Sequence, residues 1–61
     1  MITVSTIEKY DNYIEEQIEQ AKEDYPGYLR YEICSNGELF LWSLGSYPSI
    51  IKNYCEPIDI C

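Results

Sequence analysis

Residues 6–24 carry one unbroken helical period in a chain of only 61 residues, and the rest of the fold has to be built around it. Apolar side chains recur at Ile7, Tyr10, Ile14, Ile18, Ala21 and Tyr25. At about 100° per residue they share an arc of roughly 80°, a stripe suited to lie on a sheet. Ser5 and Glu8 have capping-box spacing, in which the serine oxygen accepts from the Glu8 N–H and the carboxylate reaches back. The helix is therefore expected to begin at about Thr6. It should stop before Pro26, which pushes Tyr25 out of the helical region, and Gly27 lets the chain turn.

"YLRYEICSNGELFLWSL" (residues 28–44) reads as a β-hairpin, because Asn-Gly is the strongest short signal for a two-residue turn. A two-residue turn pairs Ser35 with Glu38. Ile33 then faces Phe40, Tyr31 faces Trp42 and Leu29 faces Leu44, all on one side, and that side is expected to receive the helix stripe. The other side pairs Cys34 with Leu39, Glu32 with Leu41 and Arg30 with Ser43, with Tyr28 beside them. It is not a polar face, so either the C-terminal segment or a second protein should cover it. Further on, Gly45 ends the strand, and Pro48 suits the first turn of a short helix with Ile50, Ile51, Tyr54 and Cys55 as its apolar side. Pro57 ends that helix. Ile2 with Val4, and Ile58 with Ile60, alternate as weak first and last strands.

The expected architecture is α+β. One long amphipathic helix lies on a small antiparallel sheet built around the hairpin, in the order β-α-β-β-α-β, as a single small domain over residues 1–61. A domain of this size hides only about 60% of the surface that its unfolded chain exposes, so the core is small and a deep pocket is not expected.

Enzymatic chemistry is not expected. The chain has no histidine, which removes the usual general base at neutral pH and the common triads. Glycosidase carboxylates would need a cleft that holds a sugar. There is no glycine-rich phosphate loop, and none of Cys34, Cys55 and Cys61 has an evident activating neighbour. An odd number of cysteines speaks for reduced thiols rather than a secreted disulfide framework. With no CxxC pair a zinc site is not expected, and Glu15 with Glu19 would hold Mg²⁺ only weakly. No cofactor is called for. No apolar run is long enough to span a bilayer, and "MITVSTIEKY" lacks the basic flank and apolar segment of a signal peptide, so a cytoplasmic protein is expected.

The helix carries more acid than a helix needs. Glu8, Asp11, Glu15, Glu16, Glu19 and Glu23 gather on one flank, interrupted only by Lys22, while the other flank is mostly neutral. Glu8 and Asp11 suit a helix start. Glu15 with Glu19 and Glu19 with Glu23 are like charges at i,i+4, each unfavourable by a few tenths of a kcal/mol. Glu8 to Glu23 spans roughly 22 Å at a rise of about 1.5 Å per residue. Six charges over that length average one per ~4 Å, close to the ~3.4 Å spacing of phosphates along a DNA strand. The formal net charge is −7, which disfavours nucleic acid and anionic membrane as direct partners and favours a basic one.

In size, charge and lack of catalytic residues the chain resembles small acidic phage-encoded inhibitors, the anti-CRISPR, anti-restriction and DNA-mimic proteins. That likeness is one of composition. It implies an inhibitor that occupies the basic, nucleic-acid-binding surface of another protein through the six carboxylates and Tyr13. A different expectation is an adaptor or homodimeric structural subunit that docks through the apolar outer sheet face, with Tyr28, Leu39 and Leu41 as its contacts. An antitoxin or immunity-type inhibitor shares the physics of the first.

Overall fold

A computed structural model describes residues 1–60. The order of elements is β1 (Ile2–Val4), α1 (Ile7–Asp24), β2 (Arg30–Ile33), β3 (Leu39–Trp42), β4 (Ser49–Ile51) and β5 (Ile58–Ile60). The class is mixed α and β. In place of one antiparallel sheet there are two: β2, β3 and β4 form an antiparallel sheet in that order, and β1 pairs with β5 in parallel.

The helix starts one residue later than the capping box implies. Thr6, still extended, is the cap, and its Oγ1 accepts from the Lys9 N–H at 3.1 Å. Ser5 accepts from the Lys9 ammonium instead, at 3.2 Å. At the other end the Tyr25 N–H donates to the Ala21 carbonyl at 2.7 Å. The Tyr31 hydroxyl then donates to the Tyr25 carbonyl at 2.6 Å, which ties the end of α1 to the sheet.

The hairpin register differs from the expected one by a single residue. Arg30 pairs with Trp42, Tyr31 with Leu41, Glu32 with Phe40 and Ile33 with Leu39. The loop is three residues long, Ser35–Gly37. The Cys34 N–H donates to the Glu38 carbonyl at 3.0 Å, and the Gly37 N–H donates to the Cys34 carbonyl at 2.9 Å. Gly37 has φ of +88°, the left-handed residue that closes such a loop. Side chains alternate along a strand, so the slip turns β3 over. Leu39 and Leu41 face the helix, and Phe40 and Trp42 face away.

The expected short helix after Pro48 is a strand. Ile51 pairs with Leu39, Ile50 with Phe40 and Ser49 with Leu41. The reason is tertiary. β3 has β2 on one edge and needs a partner for its backbone on the other, and two adjacent isoleucines meet that need better than they make a helix. Asn53, at φ of 57°, then ends any helical run.

Ala21, Ile33, Leu39 and Leu41 make the buried core, with Ile14, Ile18, Tyr25, Tyr28, Tyr31, Ile51, Tyr54 and Cys55 packed around it. Val4 and Ile58 are buried beside it on the parallel pair. Ile7, the first member of the apolar stripe, is 71% exposed. The covered side of α1 is rotated toward Tyr13 and Gln17, both half-buried, because the C-terminal segment packs along that flank. This segment also straps the hairpin loop. The Tyr54 and Cys55 N–H groups both point at the Gly37 carbonyl, at 3.0 and 3.4 Å, and the Ile58 N–H donates to the Ser35 carbonyl at 2.6 Å.

Candidate functional site

Because the sheet takes one side of α1, the far side is left to solvent. Glu8, Asp11, Glu15, Glu16, Glu19 and Glu23 are all exposed there. Among the described residues the one ion pair in this row is Lys22 Nζ with Glu19 Oε1, at 3.6 Å across one turn. Asn12, Glu15, Glu16, Ile18, Glu19 and Lys22 outline an open depression on this flank, with no wall opposite them. The result is a one-sided row of solvated negative charge on a rigid element.

Tyr13 is not part of that row. It is half-buried on the opposite flank, on the side where Cys55 of the C-terminal segment packs. Burial pushes the Tyr13 hydroxyl above its ordinary pKa, and Cys55 and Glu56 add to the shift. Burial likewise pushes the Cys55 thiol up; the polar Tyr13 hydroxyl nearby opposes this and Glu56 reinforces it. A thiol held protonated is a poor nucleophile, so this corner packs the strap onto the helix and has no activated sulfur. Cys34 is also a free thiol, and Cys61 lies outside the described residues. No cluster of acidic or sulfur ligands poised for a metal occurs among the described residues.

The residues expected to form an apolar outer face are elsewhere. Leu39 and Leu41 are 0% and 1% exposed, the two largest fully buried side chains, and they lie against the helix. Tyr28 is half-buried at the margin of the same core, edge-on to Tyr31 with centroids 6.2 Å apart. The register slip explains all of the change in β3.

An outer face nevertheless exists, made by their neighbours. Phe40 and Trp42 stand side by side at 5.8 Å between centroids, with Ile50 next to Phe40 on β4. The Arg30 guanidinium lies 4.9 Å from the centre of the Trp42 ring and 3.4 Å from Glu32. The face therefore holds one cation, one anion, two aromatic rings and an isoleucine that is half exposed. Sequence reasoning assigns Phe40 and Trp42 to the core and so misses it. The available signal was "SNG", which suits a three-residue loop closed by glycine as well as a two-residue turn.

Comparison with known proteins gives no relative. The chain matches no family model, no curated protein and no solved structure. The functional reading rests on two faces, the exposed acidic flank of α1 and the half-buried aromatic outer face of the sheet. Among the described residues no helix is long and apolar enough to cross a membrane.

Proposed function

We propose that this protein is a non-enzymatic acidic inhibitor that binds a basic, nucleic-acid-binding surface of another protein through the exposed flank of α1. The observation that supports it is the segregation of charge. Six carboxylates lie on one side of a helix whose other side is held by the sheet, and a single lysine pairs with one of them. Glu8 and Asp11 suit the helix start, but nothing in folding or capping calls for Glu15, Glu16, Glu19 and Glu23, and Glu15, Glu19 and Glu23 repel one another along the row. A row of negative charge on a rigid rod presents to a basic groove what a nucleic-acid strand presents, regularly spaced anions. Association is then steered by charge and weakens with salt. Tyr13, turned to the other flank, takes no part.

The test is a pull-down from host lysate with the tagged protein, eluted by a salt ramp and read by mass spectrometry. A nucleic-acid-handling protein released at moderate salt, and lost when Glu15, Glu19 and Glu23 are changed together to Gln, is the expected result. A partner that the glutamine variant retains in full would sink the reading. In the adaptor reading the contacts are Phe40, Trp42 and Ile50 in place of Leu39 and Leu41, and Phe40→Ser with Ile50→Ser would be the damaging change.

A further inference from the structure

The outer face of the three-stranded sheet is complementary to itself. Arg30 pairs with Trp42, Tyr31 with Leu41 and Glu32 with Phe40, and Leu41 pairs in turn with Ser49. Consider a two-fold axis in the plane of this face, running across the strands along the row Tyr31, Leu41, Ser49. It exchanges the two ends of every strand. Arg30 then meets the partner's Glu32, and Glu32 the partner's Arg30. Phe40 meets the partner's Trp42, and Trp42 the partner's Phe40. Cation falls on anion and ring on ring, with no like charges opposed.

We infer that a second copy of this chain docks on this face, sheet against sheet, about that axis. The contact is isologous, the arrangement of most small homodimers. The distribution of charge selects the same face. At a net charge of −7 two copies repel, and α1 carries seven of the eleven acids, six of them in its exposed row. Docking by the sheets puts both acidic flanks on the outside with helix and sheet layers between them, so the repulsion is smallest there. The aromatic pair supplies an apolar centre, and the Arg30–Glu32 contacts form two pairs at its rim, which fix the register. Three short strands make a small interface, so the dissociation constant should be on the order of tens of micromolar. The dimer is independent of the inhibitor reading, since it uses the opposite side of the molecule. It would display two acidic helices facing away from each other.

The experiment is sedimentation equilibrium over a concentration series, with emission of Trp42, the single tryptophan, as a second readout. The expected result is a monomer–dimer equilibrium with emission moving to shorter wavelength as the dimer forms. Arg30→Glu sets four carboxylates together in its homodimer, and Glu32→Arg sets four guanidinium groups together, so each variant alone should be monomeric. An equimolar mixture of the two restores both opposite-charge contacts and should dimerise about as well as the unaltered chain. That recovery also shows both variants to be folded. A chain that stays monomeric at every concentration overturns the proposal. So does a dimer that survives in both charge-reversed variants, because it would use another surface.

Discussion

Gly37 holds the loop to the strap, and that contact depends on its having no side chain. A Cβ at this position would fall on the Cys55 carbonyl oxygen, which belongs to backbone and cannot swing aside. The left-handed φ of +88° adds its own cost. Gly37→Ala should therefore lose about 2–4 kcal/mol, a left-handed penalty of roughly 1–2 plus the displacement of the strap. Gly45→Ala is the control. It has a similar φ of +74° and open space around it, so it should lose only the backbone part, about 1–2 kcal/mol. Urea denaturation of the two variants decides, and equal losses would mean that the strap does not press on the loop. Tyr54 sets a second residue-scale expectation. Its hydroxyl donates to Asp24 Oδ2 at 2.8 Å, and burial, that hydrogen bond and the nearby carboxylate push its pKa up to about 12 from 10.0. A group whose pKa is higher in the folded state stabilises the fold while it stays protonated. That contribution is complete below pH 10 and drains away as the pH rises through about 12. Stability should fall over that window, with the raised Tyr13 and Cys55 groups adding to the slope. Tyr54→Phe should flatten it, as read from urea midpoints at stepped alkaline pH.

At the scale of elements, the helix was legible and the hairpin was legible up to one residue. The period at Tyr10, Ile14, Ile18 and Ala21 has one reading, because charged or polar residues fill nearly all the remaining positions. "LFLW" has two, because Leu39 and Leu41 are as apolar as Phe40 and Trp42 and either pair can be buried. The choice was made by Gly37, whose strap contact lies eighteen residues away in sequence at Cys55, beyond any local pattern. The strand at Ser49–Ile51 was illegible for a similar reason, since it exists to satisfy the open edge of β3. The carboxylates of the acid row are exposed, as the helical spacing predicts, while Tyr13 lies apart from them on the Cys55 side. On the helix itself the row should be a net liability. Glu23 stands in the last turn, four residues after Glu19, and makes no ion pair among the described residues, although cations are favoured at that end. Glu23→Gln should raise stability by about 0.3–0.8 kcal/mol at low salt, and less at high salt as screening removes the repulsion. Thermal melts at two ionic strengths measure this. A stabilised variant that also binds its partner less well would show acid retained on the helix at the expense of stability.

For the molecule as a whole, the limiting quantity is how little is buried. Val4, Ala21, Ile33, Leu39, Leu41 and Ile58 are the buried apolar residues among those described, and of the large ones only Leu39 and Leu41 are completely covered. Everything else in the core is half-buried, shared between a helix and two small sheets that the strap ties together. A chain of this length has a total stability of roughly 3–9 kcal/mol at ordinary values per residue. Truncating Leu41 removes its transfer free energy and leaves a cavity between α1 and β3, at a cost of about 2–5 kcal/mol. The two magnitudes overlap, so Leu41→Ala should be largely unfolded at 25 °C, with its helical circular dichroism lost and no cooperative melt. Phe40→Ala, on the neighbouring residue but on the outer face, should keep the fold and lose only about 1 kcal/mol of partial packing and its contact with Trp42. The contrast separates the two faces of β3 with one substitution each. If Leu41→Ala melted cooperatively while Phe40→Ala did not fold, the strand would be facing the other way, and the outer-face dimer would fall with the register that defines it.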